Sequence, residues 1–165
     1  MKRMPYNLLT TLNESVDWVN ENKANGCICP CCSQIAKTYK RKLHKSMALT
    51  LINLYKYEDQ DQEGWIFVKD FLRINKLKNS HDWTLLKYWD ILEEKPKSEE
   101  IKTKTSGYWR ITRKGKLFVT NQIYVQKHIF IFDTKLLGYS AETITITEAL
   151  GDSFDYEELI NEKGI

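Results

Sequence analysis

The hydrophobic positions between residues 65 and 119 change period three times, as expected for short strands alternating with helices. Two alternating apolar runs predict strands, and apolar residues at helical spacing predict the helices between and after them. The predicted elements are a strand over 65–68, helices over 69–77 and 81–92, a strand over 108–111 and a helix over 113–120 capped by Thr112. A polar, lysine-containing segment, 93–106, separates the second of these helices from the second strand. This order is typical of a winged helix-turn-helix core with 93–106 as its wing.

Two further helices are predicted before this stretch. The first, over 6–22, rests on apolar residues at helical spacing, namely Leu8, Leu9, Leu12, Val16 and Val19, and Asn25-Gly26 ends it. The second, over 34–57, rests on a longer stripe of Ile35, Tyr39, Leu43, Met47, Leu51, Leu54 and Tyr55.

The pattern after residue 120 becomes strand-like. Strands are predicted over 123–125 and 128–132, and 136–139 pairs back as a hairpin around the turn 133–135. A short helical turn over 147–150 and a final helix over 154–160, capped by Ser153, complete the chain. We therefore predict an α+β fold in three segments: an N-terminal helix and Cys knuckle (1–34), the winged-helix domain (35–120) and a small β-rich extension with a short C-terminal helix (121–165).

The charged residues are segregated along the chain, although the net charge of its 165 residues is only +3. Residues 37–45 and 102–116 carry cations and no acid, whereas the region after Glu148 is mostly acidic. This layout predicts a surface that faces a polyanion, and the alternative is a set of solvated helix faces. No apolar run approaches the ~20 residues that span a bilayer, and no apolar stretch follows the basic N-terminus. We expect a cytoplasmic protein without a membrane partner.

These features together favour a protein that binds double-stranded DNA. The basic residues expected to hold phosphates are Lys37, Lys40, Arg41, Lys42, Lys102, Lys104, Arg113 and Lys114. The second helix of the motif would present Thr84, Lys87 and Tyr88 to the groove, with Asp82 nearby as an acid that sits poorly beside phosphate. Two alternatives remain. The same fold could bind a protein, which the acidic tail favours, or Trp65, Tyr108 and Trp109 could hold single-stranded nucleic acid.

Four cysteines within six residues predict a structural zinc site at Cys27, Cys29, Cys31 and Cys32. Cys29 and Cys32 form a C-P-x-C turn that supplies two thiolates, and Cys27 or Cys31 could supply a third. The remaining ligands would come from a histidine (His44, His81 or His128) or from the same turn of a second subunit, which would make a homodimer. Free thiols and a redox dithiol are the alternatives.

Catalytic motifs are missing from the sequence. The three histidines have no neighbouring nucleophile or carboxylate motif, and neither a glycine-rich phosphate loop nor an H-E-x-x-H motif is present. We therefore do not expect an enzyme. The remaining catalytic alternative pairs Cys31 with a distant histidine.

Several short motifs resemble a family of small phage and prophage-type proteins of uncharacterised function. These motifs are the C-P-x-C turn at residues 29–32 and the segments 39–43, 86–96, 107–115 and 149–159. The segment 86–96 begins with Leu86-Lys87-Tyr88-Trp89 and ends at Pro96. The resemblance covers residues 29–159 and implies a phage-type transcriptional regulator, or a phage factor that binds a host protein, in the host cytoplasm. In this family glycine is expected at the position of Asp90.

Overall fold

A computed structural model describes residues 1–4, 10–58, 64–74, 81–96 and 107–161 of the chain. The elements are, in chain order, α1 (Leu12–Asn22), β1 (Cys27–Ile28), β2 (Ile35–Ala36), β3 (Tyr39–Lys42), α2 (Lys45–Glu58), β4 (Ile66–Phe67), α3 (Val68–Ile74), a 3₁₀ helix (His81–Trp89), β5 (Leu92–Glu94), β6 (Tyr108–Ile111), α4 (Arg113–Val119), β7 (Val125–Gln126), β8 (His128–Phe132), β9 (Lys135–Tyr139), β10 (Thr143–Ile144), α5 (Ile146–Leu150) and α6 (Tyr156–Asn161). The predicted α+β class is confirmed, and the sheets are small.

The chain divides into two compact units. The first comprises residues 1–41 and 128–140, and the second comprises residues 42–127 and 141–165. The predicted boundaries at residues 34 and 120 do not coincide with the limits of these units. The β8–β9 hairpin joins the first unit because β8 lies between β3 and β9 in a three-stranded sheet. Among the helices that the structure describes, none has both the length and the apolar character needed to cross a bilayer.

The first unit begins with α1, which confirms the predicted helix over 12–22, while residues 5–9 lie outside the described part of the chain. Thr11 caps this helix, and the Glu14 carboxylate accepts hydrogen bonds from the Thr11 backbone N–H at 2.7 Å and its hydroxyl at 2.9 Å. The predicted inward residues Leu12 and Val16 are exposed instead. Gly26, at φ +86°, ends the helix as predicted, and its N–H donates to the Asn22 carbonyl.

The hairpin β8–β9 confirms the predicted pairing around residues 133–135. Asp133 and Thr134 have φ values of +46° and +60°, and two left-handed residues form the turn whose twist matches a two-residue hairpin. Ile129 and Ile131 on β8 are buried. Strand β8 also pairs, along its other edge, with β3.

The helix predicted over 34–57 is wrong for residues 34–44, nearly half of its length, where the chain forms β2 and β3. All four residues of β3 are exposed, and lysine-rich edge strands of this kind are common in natural sheets. A helix starting there would also place a cluster of cations at its positive end. The helix α2 instead starts at Lys45, so four of the five cations in residues 37–45 precede it.

The second unit is packed around α2. The buried face of this helix extends from Leu43, just before it, to Leu54, and contacts the 3₁₀ helix, β6, α4 and α5. A three-stranded antiparallel sheet has β6 between β4 and β5, with Ile66 opposite Trp109 and Leu92 opposite Ile111. The chain runs directly from β4 into α3, from the 3₁₀ helix into β5, and from β6 into α4.

The helix predicted from residue 81 is present, but as a 3₁₀ helix. Its buried residues, Trp83, Leu86 and Trp89, are spaced by three, whereas Leu85 is only half-buried. The predicted cap Ser80 lies outside the described residues. The predicted cap Thr112 is confirmed, since its hydroxyl accepts from the Gly115 N–H at 3.0 Å.

The C-terminal helices differ slightly from the prediction. Helix α5 starts at Ile146, one residue before the predicted helical turn, and Thr145 and Glu148 form a capping box there. The last helix starts at Tyr156, and Asp155 rather than Ser153 caps it, through a 3.1 Å hydrogen bond from the Glu158 N–H. The start of this helix is held by the Tyr156 hydroxyl, which donates to the Val119 carbonyl at 2.7 Å.

A close backbone approach requires glycine at position 115. A Cβ atom on Gly115 would lie 2.2 Å from the Ile91 carbonyl oxygen and 2.6 Å from Ile111 Cγ2. We therefore expect Gly115→Ala to lower the free energy of unfolding by about 1–3 kcal/mol, because α4 must move away from the sheet. Chemical denaturation measures this, with the exposed Lys116→Ala in the same helix as control, expected within about 0.5 kcal/mol of wild type. Equal stability of the two variants would contradict the close approach.

Asp90, where the resemblance implies glycine, occupies the left-handed region at φ +56° between the 3₁₀ helix and β5. An L-residue with a Cβ is strained there, while glycine is not. We expect Asp90→Gly to raise the free energy of unfolding by about 0.5–1 kcal/mol and Asp90→Ala to lower it by a similar amount. The order of the three thermal midpoints tests this, and an alanine variant as stable as the glycine variant would argue against the strain.

Candidate functional site

The outward face of the 3₁₀ helix carries the residues predicted to face DNA. Residues three apart eclipse one another in such a helix, so the buried row leaves two outward rows. These rows are Asp82, Leu85 and Tyr88 on one side and Thr84 and Lys87 on the other. Lys87 and Asp82 are exposed, and Thr84 and Tyr88 are half-exposed. All three predicted readers, Thr84, Lys87 and Tyr88, are therefore accessible in part.

The charges on this face have nearby partners. The Asp82 carboxylate lies 3.6 Å from His44 Nε2, just before α2, and both side chains are about half exposed. An ion pair at this exposure contributes little to stability. Lys87 Nζ lies 5.4 Å from the centre of the Tyr88 ring. This face therefore combines the Asp82 carboxylate, the basic side chains of His44 and Lys87, and the Tyr88 ring.

Hydrogen bonds place the first turn of α4 at the C-terminal end of the 3₁₀ helix. The Thr112 hydroxyl donates to the Asp90 carbonyl at 2.6 Å, and the Thr112 N–H donates to the Ile91 carbonyl at 3.0 Å. Asp90 in turn donates its N–H to the carbonyl of Lys87. This end of the unit, the α4 junction, therefore carries three of the predicted contact residues: Lys87, Arg113 and Lys114.

The other predicted phosphate-binding residues lie elsewhere. Lys37, Lys40 and Arg41 are exposed and belong to the first unit, and Lys42 is exposed at the end of β3. The guanidinium carbon of Arg41 lies 5.2 Å from the centre of the Tyr39 ring on the same strand. Lys102 and Lys104 lie outside the described residues.

The aromatic residues suggested for single-stranded nucleic acid do not form one open surface. Trp109 is buried and packs edge-on against Trp83, with ring centres 5.0 Å apart. Trp65 is covered by the Arg110 guanidinium, whose carbon lies 4.4 Å from the centre of the Trp65 ring. Tyr108 is exposed. Base stacking on all three rings would require the core of the unit to open.

The cysteines lie on and beside the β1–β2 hairpin of the first unit and differ in environment. Cys27 is fully buried in β1, and burial, with Cys29 nearby, raises the pKa of its thiol. Cys29 is half-buried, whereas Cys31 and Cys32 are exposed in the turn. The pKa of Cys29 is lowered because the backbone N–H groups of Cys32 and Cys31 donate to its sulfur.

Sequence analysis missed one cation near the cysteines. Arg3 lines a cleft of about 350 Å³ together with Met4, Ile28, Cys29, Pro30 and Ser33. Nothing in the local sequence pattern signals this, because β1 brings the two segments together through a parallel bridge between Lys2 and Cys27. Of the candidate histidine ligands, His44 lies beside Asp82, and His128 is half-buried at the start of β8.

Comparison of the chain with models of protein families, with curated proteins and with solved structures finds no match. The resemblance to phage and prophage-type proteins therefore stays a prediction. The arguments for function come from the geometry of the two units.

The burial of the four thiols predicts their reactivity in the reduced, metal-free protein. We expect an alkylating reagent to modify Cys29, Cys31 and Cys32 under native conditions and Cys27 only after unfolding, because Cys27 has no exposed surface. Peptide mass spectrometry identifies the modified sites. Because the pKa of Cys29 is lowered, its thiolate persists at lower pH, so acidification below the ordinary thiol pKa of about 8.5 should slow its modification less than that of free cysteine. Rapid native labelling of Cys27 would contradict the burial.

Proposed function

We propose that residues 42–127 form a winged-helix domain that binds double-stranded DNA through the 3₁₀ helix and the α4 junction. The observation that carries the proposal is the order of elements: α2, β4, α3, the 3₁₀ helix, β5 and β6, with β6 between the other two strands. A helix-turn-helix in which a strand precedes the first helix and an antiparallel pair follows the second has this connectivity. Of the predicted wing, residues 93–106, the first two residues belong to β5, and residues 97–106 lie outside the described part of the chain.

The exposed charges support a phosphate-facing role for this side of the domain. The first turn of α4 carries Arg113 and Lys114 and no acid, an arrangement that the helix dipole disfavours without a nearby anion. Lys87 is exposed on the 3₁₀ helix, and its carbonyl accepts from the Asp90 N–H, while the Asp90 carbonyl accepts from Thr112 at the start of α4. Cations gathered at a helix end beside a groove-facing helix are suited to phosphate contact, which gives affinity without sequence preference.

Direct base reading would fall to the two outward rows of the 3₁₀ helix. Lys87 could donate to guanine acceptors, while Thr84 and Tyr88 offer hydroxyl groups. Asp82 repels phosphate, although it can accept from cytosine N4. The pairing of Asp82 with His44 reduces that repulsion whenever the imidazole is protonated. A role as a phage-type transcriptional regulator is the form of this function that the sequence resemblance predicts.

Salt dependence tests the proposal directly. We expect fluorescence anisotropy to show binding to a labelled random duplex at ~50 mM salt that weakens by orders of magnitude at ~200 mM, because phosphate contacts release counterions. Lys87→Gln should lower the affinity and reduce the salt slope by about 1 if it holds a phosphate. If it reads a base, the loss should instead be about 1–3 kcal/mol and restricted to preferred sequences.

One variant controls for the overall charge, and a second tests the acid at the proposed interface. Lys135→Gln, in β9 of the first unit, makes the same charge change and should leave binding close to wild type. Asp82→Asn should strengthen binding at low salt, because it removes the acid from the proposed interface. Absence of duplex binding at low salt would contradict the proposal and favour the protein-binding alternative. Equal losses for Lys87→Gln and Lys135→Gln would show that the 3₁₀ helix is not the contact surface.

A further inference from the structure

The turn between β1 and β2 is held in a fixed conformation. The Cys29 N–H donates to the Gln34 carbonyl at 2.8 Å, and the Ser33 N–H donates to the Cys29 carbonyl at 2.9 Å. Ser33 takes the left-handed conformation, with φ +59°, that reverses the chain. The hairpin places residues 29–34, which we call the cysteine turn, at its tip, and the parallel bridge between Lys2 and Cys27 supports its base.

The cysteine turn arranges two sulfur atoms as a metal-binding pair. Cys29 and Cys32 are three residues apart around Pro30, and the Cys29 sulfur accepts hydrogen bonds from the backbone N–H groups of Cys32 and Cys31. Donors of this kind stabilise a thiolate ligand and hold it in place before the metal arrives. Cys32 is exposed, so the pair can be reached from solvent.

The pair is half of a zinc site. Structural zinc is tetrahedral and takes four cysteine or histidine ligands. Within the residues that the structure describes, no group of three or more histidine, cysteine, aspartate or glutamate side chains is arranged to hold a metal. Cys27 is fully buried, so the pair that solvent can reach consists of Cys29 and Cys32. The missing ligands must therefore come from elsewhere.

We propose that one Zn²⁺ joins two copies of this chain through Cys29 and Cys32 of each copy. The second copy supplies an identical pair, which completes the four ligands that a structural zinc requires. Each thiol loses its proton as its sulfur–zinc bond forms, four protons are released for each zinc, and no redox change is needed. Four thiolates and Zn²⁺ carry a net charge of −2, and Arg3 of each copy lines the cleft beside Cys29 and offsets it.

This inference does not rest on the proposed function. The cysteine turn belongs to the first unit, and its test involves no DNA. A protein that dimerises on zinc but does not bind a duplex would refute only the DNA proposal, and the converse result would refute only the zinc-bridged dimer.

The test measures zinc content and molar mass on the full chain, reduced with a phosphine and freed of metal. Zn²⁺ is added, excess metal is removed by gel filtration, and light scattering gives the mass while elemental analysis gives the zinc. We expect one zinc for every two chains and a mass twice that of the 19.5 kDa monomer, both reversed by a chelator. One zinc per monomeric chain, or no retained zinc, would overturn the proposal.

Variants within the cysteine turn identify the ligands. Cys32→Ser should abolish the zinc-dependent doubling of mass, and Cys29→Ser should do the same. Cys31→Ser is the matched control, because it removes an exposed thiol from the same turn and should leave both stoichiometry and mass unchanged. If Cys31→Ser abolishes dimerisation as fully as Cys32→Ser does, the assignment of the ligand pair is wrong.

Cobalt provides an independent readout that does not depend on any variant folding. Co²⁺ added to the metal-free wild-type chain should produce the visible absorption of a tetrahedral site with four thiolates, saturating at half an equivalent per chain. Zn²⁺ should then displace it. A spectrum with fewer thiolates, or saturation at one equivalent, would rule out the symmetric site.

Discussion

Burial of one face of α2 holds the second unit together. The side chains of Leu43, Met47, Leu51 and Leu54 are at most 1% exposed, and the helix contacts the 3₁₀ helix, β6, α4 and α5. The strands around it are only two to four residues long in this unit, and sheets of such short strands are not stable alone. Their pairing therefore depends on the helix that covers them.

The same packing decides which surface the 3₁₀ helix presents. Runs of 3₁₀ helix longer than three or four residues are uncommon, because their hydrogen bonds are poorly aligned. Here Trp83, Leu86 and Trp89 are buried on one side, and Trp89 also donates its indole N–H to the Gln126 carbonyl. Three large side chains at a spacing of three stabilise a helix with three residues per turn. The outward rows, and with them the proposed DNA contacts, follow from that spacing.

Different physical forces build the two proposed sites. The α4 junction depends on tertiary packing, because the approach of Gly115 to Ile91 brings Arg113 towards the end of the 3₁₀ helix. The cysteine turn depends on local hydrogen bonds, and its base is closed by a hairpin of two residue pairs. The predicted phosphate-binding residues do not all belong to one unit. Lys40, for example, belongs to the first unit and Arg113 to the second.

The sequence alone determined the elements whose signals are local. The α4 cap at Thr112, the end of α1 at Gly26 and the β8–β9 hairpin were predicted because caps, left-handed residues and alternation act within a few residues. The spacing of the cysteines and Pro30 likewise predicted a turn at residues 29–32, and the chain turns there. The metal-binding role of that turn stays a prediction.

The tertiary structure alone decided the state of residues 34–44. Ile35, Tyr39 and Leu43 recur at a helical spacing of four, yet Ile35 and Tyr39 are exposed and the chain forms strands. The partner of β3 is β8, far along the chain, and no local pattern shows that an edge is free there. The apolar face of α1 shows the same limit, because spacing predicts that a face is apolar but not that a neighbour covers it. The spacing of apolar residues shows which face of a segment can be buried, and only the folded chain determines what that face packs against.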